Sequence, residues 1–328
     1  MQYRSLGRTG LKVSLLSYGA WVSFGNQIDM EEAKLLLSRL REFGVNYFDN
    51  AEIYANGQAE MMMGQAIKEL GWLRSDIVIS TKLFWGGHGP NDRGLSRKHI
   101  IEGILGSLQR LSMDYVDILF CHRPDVSTPI EETVRTMNYV IQQGWAFYWG
   151  TSEWDARQIT EAWEVANRFN LIGPAVEQPE YNLFARHKVE VEFAPLYDRY
   201  GMGLAVWSPL ASGILTGKYN HEKVPHDSRF ALEDFKDFAR VTLVDEVLQK
   251  VEGLIPIAAE LGVPLAQLAI AWCAVNPKVS TVITGASKEH QIIQNMKALD
   301  VMPLLTPSVL EKIEAVVQSS PQQPRIYR

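Results

Sequence analysis

A short apolar run followed by an amphipathic helix recurs along the chain. Most of these runs are continuously apolar, as in parallel strands that are covered on both faces. Such strands are predicted at Leu15–Tyr18, Tyr47–Asn50, Ile77–Lys82, Val116–Phe120, Ala146–Gly150, Ala175–Gln178, Leu204–Trp207 and Thr281–Thr284.

Helices are predicted between these runs. In Ser96–Leu111, apolar residues recur every three or four positions and share one face, and Ser96 is placed to cap the start. Asp29 is placed to cap a helix over Met30–Glu42, and Gly44 to end it. The remaining helices are predicted at Ala59–Leu70, Ile130–Gln143, Ala156–Asn170, Lys188–Tyr200, Val244–Leu261 and His290–Ala298.

Eight strands that are each followed by a helix predict an α/β fold of the (β/α)8 TIM barrel type. An open, doubly wound sheet is the alternative, because local patterns do not show whether a sheet closes. Additions to the minimal barrel are a hairpin over Met1–Val13, a long polar loop over Ser208–Val241, and two extra helices at Leu265–Val275 and Pro307–Gln318. No linker divides the sequence, so residues 1–328 are expected to form a single barrel domain.

Composition and charge exclude several classes of partner. The 328 residues are 46% hydrophobic and 21% charged, as in an ordinary globular protein, and the formal net charge is −6. Without a basic run, nucleic acid and anionic membranes are poor partners. Cys121 and Cys273 lie in apolar runs, as buried thiols of a reducing compartment do, and no apolar stretch reaches about 18 residues. A cytoplasmic location is therefore expected.

Several catalytic motifs are nearly present and fail on spacing. Gly213–Tyr219 has three residues between its glycines where a P-loop needs four, and it lacks the Ser or Thr that binds magnesium. His221–His226 is one residue too long for the metal-binding helix of a zinc protease and contains Pro225. The nucleophile elbow of serine hydrolases is missing as well. No metal site is predicted.

Four polar residues fall at or just after the ends of three consecutive predicted strands. Asp49 lies at the end of the second strand, Tyr54 in the loop after it, Lys82 at the end of the third, and His122 after the fourth. The C-terminal ends of the strands form the active-site face of a (β/α)8 barrel. We therefore expect these residues, here called the candidate tetrad, to meet at one mouth.

The chemistry that such a group suits is proton donation to a carbonyl oxygen. A nearby ammonium is expected to lower the pKa of the Tyr54 phenol, and Asp49 is expected to keep a buried Lys82 charged. Tyr54 would then protonate a developing alkoxide while His122 hydrogen-bonds the same oxygen, and a cofactor would provide the hydride. Each residue alone also fits a structural role, so the hypothesis depends on all four together.

The blocks that contain the tetrad resemble the aldo-keto reductase superfamily. They are Phe48–Tyr54, with the letters FDNAEIY, Ser80–Lys82, and Cys121–Pro124. A closer resemblance is to the cytosolic beta subunits of voltage-gated potassium channels, especially the plant type. The segments that carry it are Trp85–Gly87, Gly94–Ile100, Tyr148–Ser152 and Trp207–Ala211.

The resemblance implies that Tyr54 is the proton donor, Lys82 and Asp49 its tuning pair, and His122 the group that orients the carbonyl. It also implies NADPH as the cofactor and an aldehyde or ketone as the substrate. The residues it assigns to NADPH are Trp21, Gln27, Asp49, Ser152, Gln178, Trp207, Ser208, Pro209, Leu210, Ala211, Ser212, Gly213, Lys218, Arg229, Gly285, Ser287, Gln291, Gln294 and Asn295.

Within that set the resemblance assigns different residues to different parts of NADPH. Ser152 and Gln178 would hold the nicotinamide carboxamide, and Trp207 would offer its face to the ring. The loop 208–213, with its backbone N–H groups, and Lys218 would meet the pyrophosphate. Arg229 would lie with the residues between Gly285 and Asn295 at the adenosine and 2′-phosphate end and favour NADPH over NADH.

Three functional hypotheses follow. The first is a cytoplasmic beta subunit, a homo-tetramer that docks on a potassium channel alpha subunit, is peripheral at the membrane through that channel, and couples redox state to it by slow NADPH-dependent carbonyl reduction. The second is a stand-alone NADPH-dependent aldehyde or ketone reductase, and the third is a barrel hydrolase or isomerase. Animal channel beta subunits carry Asn at the position of His122, so turnover is expected to be at least as plausible here. Because the sequence opens at Met1, a pore-plugging N-terminal segment is not expected.

Overall fold

Eight short strands pair in parallel and close into a barrel. The computed structural model describes residues 1–21, 23–221, 224–225 and 228–324, and all eight strands lie within them. Each strand pairs with the next along the chain, and the last pairs with the first, with Val282 opposite Leu16. After the hairpin strands β1 (Tyr3–Ser5) and β2 (Lys12–Ser14), the barrel strands are β3 (Leu16–Gly19), β4 (Tyr47–Asp49), β5 (Val78–Leu83), β6 (Val116–Cys121), β7 (Ala146–Ser152), β8 (Val176–Gln178), β9 (Gly203–Val206) and β10 (Val279–Thr284). The (β/α)8 barrel prediction is confirmed, and the open-sheet alternative is wrong.

Helices surround the barrel, and most begin and end within two residues of the predicted limits. They include both predicted extra helices, α10 and α13. Within the described residues the helices are α1 (Met30–Glu42), α2 (Gln58–Glu69), α3 (Arg97–Leu111), α4 (Ile130–Gln142), α5 (Ala156–Arg168), α6 (Ala194–Tyr200), α7 (Lys218–His221), α8 (Lys236–Thr242), α9 (Asp245–Glu260), α10 (Leu265–Val275), α11 (Glu289–Met296), α12 (Ala298–Val301) and α13 (Pro307–Val317).

Side chains that point into the barrel are apolar towards its N-terminal end and polar towards its C-terminal end. Residues two positions apart on a strand share a face. Tyr47 is therefore followed on that face by Asp49, and Val78 is followed by Ser80 and Lys82. The apolar layer inside the barrel consists of Leu6, Val13, Tyr47, Val78, Ile118, Phe120, Val176, Ala205 and Ile283.

The N-terminal hairpin closes the bottom of the barrel. The predicted hairpin is present: β1 and β2 pair antiparallel, with Arg4 opposite Val13. Leu6 and Val13 are fully buried and belong to the apolar layer inside the barrel. The Arg4 guanidinium donates to the carbonyls of Ala274, Asn276 and Val279 at distances of 2.6–2.9 Å. The cleft lined by the ends of the strands lies at the opposite, polar end of the barrel.

The predicted helix caps are present. Asp29 and Glu32 form a reciprocal capping box at the start of α1, and Gly44 follows the helix in the left-handed conformation with φ of +81°. Ser96 accepts a hydrogen bond from the His99 N–H at 3.2 Å and caps α3. These local signals explain why the limits of α1 and α3 could be predicted closely.

Two predicted elements differ from the structure. The helix predicted over Lys188–Tyr200 is a wide π-type turn, Lys188–Glu192, followed by the separate helix α6. Pro195 lies in the first turn of α6, where its missing N–H is harmless, and in a continuous helix it would break the ladder. The polar loop predicted over 208–241 instead contains 3₁₀ turns, α7 and most of α8. Of that loop, and of the rejected His221–His226 motif, residues 222, 223, 226 and 227 lie outside the described residues.

The most apolar helix belongs to the layer between the barrel and its surface. Nine of the eleven residues of α10 are buried. Within the described residues, no single helix is both long and apolar enough to cross a membrane, and α9 with α10 meets that criterion only as a pair bent by 89°.

Loss of the capping box should destabilise the fold without affecting the polar mouth. Asp29→Ala removes the acceptor for the Glu32 N–H, and we expect the free energy of unfolding to fall by about 1 kcal/mol. Urea denaturation measures this change. Asp29→Ser keeps a capping oxygen and is the matched control, so an equal loss in both variants would contradict the capping account.

Candidate active site

The candidate tetrad meets at the C-terminal mouth of the barrel, as predicted. Asp49 is the last residue of β4, Lys82 is the penultimate residue of β5, and His122 directly follows β6. Tyr54 opens a 3₁₀ turn just before α2. All four side chains are buried, and Lys82 has no exposed surface at all.

The Lys82 ammonium is bonded by three neighbours. Its Nζ forms an ion pair with Asp49 Oδ2, donates to the Asn50 carbonyl at 2.8 Å, and lies 2.9 Å from the Tyr54 hydroxyl. An ammonium has three N–H donors, so each of them has a partner. The buried charge is thereby balanced, and the Tyr54 hydroxyl is held against it.

The second oxygen of Asp49 is held by two further groups. Asp49 Oδ1 lies 2.6 Å from the Ser80 hydroxyl and 3.2 Å from the Gln178 amide nitrogen. These contacts fix the carboxylate in one orientation across β4, β5 and β8. The prediction that Asp49 pairs with Lys82 agrees with this geometry.

A strained turn directs Tyr54 towards Lys82. Ala55 and Asn56 have φ of 47° and 52°, and Gly57 has φ of 86°. Left-handed backbone costs a residue with a Cβ about 1–2 kcal/mol, and such strain concentrates at functional sites. The sequence contains the turn dipeptide Asn56-Gly57, a signal that would have located this bend.

Burial changes the expected ionisation of Tyr54. Burial raises the pKa of its hydroxyl above the usual value near 10, and the opposing charge of Lys82 only partly offsets this effect. The ammonium thus acts on the pKa of the phenol in the expected direction, but burial outweighs it and the net pKa is raised. Burial also acts to lower the pKa of Lys82, but Asp49 and Tyr54 outweigh it, and the net pKa of Lys82 is raised. The result is a protonated phenol beside a charged amine.

His122 is a neutral imidazole beside that phenol. Burial, with the charges of Lys82 and Arg123, lowers its pKa well below the usual range. The ring centroids of His122 and Tyr54 are 5.9 Å apart. Its buried Nδ1 has no hydrogen-bond partner among the described residues. Both rings line the cleft at this mouth of the barrel, where the imidazole is placed to contact a bound molecule.

A cleft of about 670 Å³ opens above these residues, and Lys82 lies behind its wall. Of the nineteen residues assigned to NADPH, only Ala211 does not line the cleft, because its side chain is buried within its turn. The lining residues that were not assigned beforehand are Gly19, Ser23, Ile53, Trp85, Arg123, Thr216, Pro264, Leu265, Ala266, Ile270, Ile283, Thr284, Ala286 and His290. Several belong to the end of β10 and the start of α10, and the strand-end rule could have found the β10 group.

Aromatic rings form one side of the cleft. The Trp21 ring is 6.3 Å from Tyr54 and 6.3 Å from Trp207, measured between centroids. The Arg229 guanidinium lies 5.1 Å from the Trp21 ring and 3.4 Å from the Ser212 hydroxyl. This places Arg229 beside the 208–213 loop, so its grouping with Gly285–Asn295 at a 2′-phosphate stays a prediction.

The 208–213 loop is folded by left-handed residues. Ser208, Ala211, Ser212 and Gly213 have φ of 58°, 47°, 58° and 93°. The N–H groups of Ala211 and Gly213 donate within the loop, to Ser208 and Leu210, at 2.9 Å each. These two N–H groups are engaged within the loop, and the contact of the loop with the pyrophosphate stays a prediction.

The predicted carboxamide and adenosine residues are held by local bonds. Ser152 Oγ donates to the Gln178 carbonyl at 2.9 Å, so these two line the cleft side by side. At the far end, Gln291 Oε1 accepts the Ser287 N–H at 2.9 Å, at the start of α11.

Within the described residues, no three His, Cys, Asp or Glu side chains are grouped so that they could hold a metal ion.

Glu177 is a buried acid on the outer face of β8, directly before Gln178. Thr151 donates to its Oε2 at 2.5 Å, and its Oε1 has no hydrogen-bond partner among the described residues. Burial raises the pKa of this carboxyl to about 8. The carboxyl is therefore protonated near neutral pH.

The arrangement on this mouth defines a class of protein. Residues 15–318 match the family model described as the Aldo/keto reductase family, and the chain belongs to that family. Aldo/keto reductases are oxidoreductases that generally use NAD(P)H. The chain is 70% identical over 328 residues to a protein of Oryza sativa subsp. japonica named probable voltage-gated potassium channel subunit beta. It is 71% identical over 328 residues to a protein of the same name in Arabidopsis thaliana, and both alignments cover 100% of each chain.

Protonation of Glu177 should make stability depend on pH. In the unfolded chain this carboxyl ionises near its ordinary pKa of about 4.3, whereas the folded protein holds the proton up to about pH 8. Between these values the unfolded state binds fewer protons, so the free energy of unfolding falls as pH rises, by up to about 1.4 kcal/mol per pH unit.

Glu177→Gln is expected to remove this contribution. Urea denaturation of the parent and the variant at intervals of about one pH unit, between about pH 5 and about pH 8, gives the slope of the free energy of unfolding against pH for each protein. The variant should gain stability relative to the parent as pH rises. The exposed substitution Glu161→Gln is the control, and parallel curves for the parent and Glu177→Gln would contradict the assignment.

Proposed function

We propose that the protein is an NADPH-dependent reductase of aldehydes or ketones that acts as the cytoplasmic beta subunit of a voltage-gated potassium channel. The observation that carries the enzymatic part is the buried Lys82 ammonium, which is bonded to Asp49 and to the Tyr54 hydroxyl beside a large cleft. Membership of the Aldo/keto reductase family supports the same reaction class.

The residues that line the cleft fit NADPH. A volume of about 670 Å³ is within the range of small-molecule and cofactor sites, about 300–1,000 Å³. Lys218 and Arg229 provide positive charge for phosphate groups, and Trp207 provides an aromatic face. His122, Ser152 and Gln178 line the same cleft and add polar groups for a bound molecule.

Proton transfer to the carbonyl oxygen is the step that this chain supplies. A reduced nicotinamide, when bound, supplies a hydride to the carbonyl carbon. Tyr54 donates its proton to the carbonyl oxygen, which completes the alcohol, and Lys82 stabilises the phenolate that remains. Solvent then returns a proton to Tyr54.

His122 orients the carbonyl for that transfer. Because its pKa is lowered well below the usual range, the imidazole is neutral and keeps one N–H donor. A hydrogen bond from this donor to the carbonyl oxygen stabilises the negative charge that develops there. The neutral form also does not compete with Tyr54 as an acid.

Removal of the Tyr54 hydroxyl should stop reduction and leave nucleotide binding intact. We expect Tyr54→Phe to lower kcat for an aromatic aldehyde by about 10²–10⁴-fold, followed as loss of reduced-nicotinamide absorbance. NADPH should still raise the melting temperature of this variant. Tyr3→Phe, at an exposed tyrosine, is the matched control. Equal rates in Tyr54→Phe and the parent would contradict the role of Tyr54.

The channel part of the proposal is supported by the names of the relatives. Two plant proteins that match over their whole length, at 70% and 71% identity, are named as probable potassium channel beta subunits. We infer association with the cytoplasmic side of a channel alpha subunit, as a homo-tetramer with four-fold symmetry. Channel binding and reduction are compatible, because slow turnover can report the redox state of the nucleotide.

Co-purification tests this association. Co-expression with a plant voltage-gated potassium channel alpha subunit should yield a complex that contains four copies of each chain by native mass spectrometry. Both NADPH and NADP⁺ are included, because the nucleotide can change the affinity. Failure to recover the channel with either nucleotide, while reductase activity persists, would favour the stand-alone reductase.

A further inference from the structure

One hydrogen bond holds the indole N–H of Trp207. Its backbone is held by two contacts, from its N–H to the Pro179 carbonyl at 3.1 Å and from the Tyr181 N–H to its carbonyl at 3.2 Å. These backbone contacts do not set the side-chain torsions, and the ring packs edge to face with Trp21 at 6.3 Å between centroids. The indole N–H donates to Glu153 Oε1 at 3.0 Å, and this bond selects the plane of the ring.

The Glu153 carboxylate joins the ends of three neighbouring strands. Glu153 directly follows β7, and its Oε1 also accepts the N–H of Glu180, two residues after β8, at 2.6 Å. Trp207, the third partner, directly follows β9. One oxygen atom thus links β7, β8 and β9 on the side of the mouth where Ser152 and Gln178 line the cleft.

Lys188 holds the carboxylate from the other side. Its Nζ lies 2.8 Å from Glu153 Oε2 and donates to the Glu153 carbonyl at 3.0 Å. The Glu153 side chain is only 21% exposed, so the pair is partly shielded from solvent. The carboxylate therefore has little freedom to release the indole.

The backbone at Glu153 has a conformation that favours glycine. Its φ is +58°, in the left-handed region. Glycine adopts this conformation without a steric cost, whereas a residue with a Cβ does not. A glutamate at this position is thus less stable than glycine as far as the backbone is concerned, and its carboxylate contacts must offset the difference.

We propose that Glu153 is a positioning residue for the cofactor site. Its carboxylate, held by Lys188, fixes the Trp207 indole as the face against which the nicotinamide of NADPH binds. The inference rests on the proposed function, because that function assigns Trp207 to the nicotinamide. It goes further in making the affinity for NADPH depend on a residue that does not line the cleft.

Direct measurement of NADPH affinity tests the proposal, by calorimetry or by the fluorescence of the bound nucleotide. We expect Glu153→Ala to weaken binding about tenfold, because the indole N–H loses its acceptor. Glu153→Gln keeps an oxygen that can accept from both N–H groups, and we expect it to stay within about threefold of the parent. Glu161→Ala, which breaks an exposed ion pair on α5, is the control and should bind like the parent.

A glycine variant separates positioning from a general structural role. Glu153→Gly removes the carboxylate and also relieves the left-handed strain, so its melting temperature should exceed that of Glu153→Ala. If the carboxylate positions Trp207, both variants lose NADPH affinity equally despite their different stabilities. If the role is only structural, the affinity recovers together with the melting temperature in Glu153→Gly, which would overturn the proposal.

The double variant Glu153→Ala with Trp207→Phe identifies the indole as the group through which Glu153 acts. Phenylalanine has no N–H for Glu153 to hold, so Glu153→Ala should change the affinity of Trp207→Phe by less than about twofold. If the two substitutions weaken NADPH binding by factors that multiply in the double variant, Glu153 and Trp207 act independently and the proposal is overturned. If the parent protein and Glu153→Ala bind NADPH equally well, this inference alone is overturned. If the parent protein does not bind NADPH, the proposed function is overturned as well.

Discussion

The active-site end of this barrel is organised around one buried charge, the ammonium of Lys82. Removing an ammonium from water is costly unless charge and hydrogen bonds replace the solvent. Asp49, the Asn50 carbonyl and the Tyr54 hydroxyl provide this replacement, and they come from β4 and the segment that follows it. The pairing of β4 with β5, in which Asp49 is opposite Ser80, brings them within reach of Lys82. The same bonds that make the buried amine tolerable therefore also place the phenol for proton donation.

Burial shifts the pKa values of Tyr54 and His122 in opposite directions and leaves both groups neutral. It raises the pKa of Tyr54 and lowers the pKa of His122, because in each case it favours the neutral form. A neutral phenol and a neutral imidazole are both hydrogen-bond donors, and they face the same cleft. The charged groups beside these two neutral donors are Lys82, its partner Asp49 and Arg123, and the two cations favour a developing alkoxide without a second acid.

The sequence was sufficient for the order of strands and helices and for the position of the tetrad, because both follow from local rules, whereas closure of the sheet into a barrel is shown by the pairing of β10 with β3. Continuous apolar runs identified the parallel strands, and residues at strand ends identified Asp49, Lys82 and His122. Three-dimensional properties could not be predicted in this way. The net pKa shift of Tyr54 depends on burial that no motif encodes, and Lys188–Tyr200 is divided by a proline within an otherwise helical pattern. The contacts of Arg229 depend on how the 208–241 segment folds back over Trp21.

The N-terminal end of the barrel contributes to stability, and the C-terminal end contains the candidate active site. At the N-terminal end, Leu6 and Val13 complete an apolar layer, and Arg4 satisfies backbone carbonyls beside β10. The hairpin closes this end. At the C-terminal end the same strands present polar groups, and the buried charge of Lys82 is tolerable there because Asp49, the Asn50 carbonyl and the Tyr54 hydroxyl replace the solvent. The pairing of β7 with β8 and of β8 with β9 keeps the ends of these strands close together, so a single carboxylate at Glu153 is able to link all three.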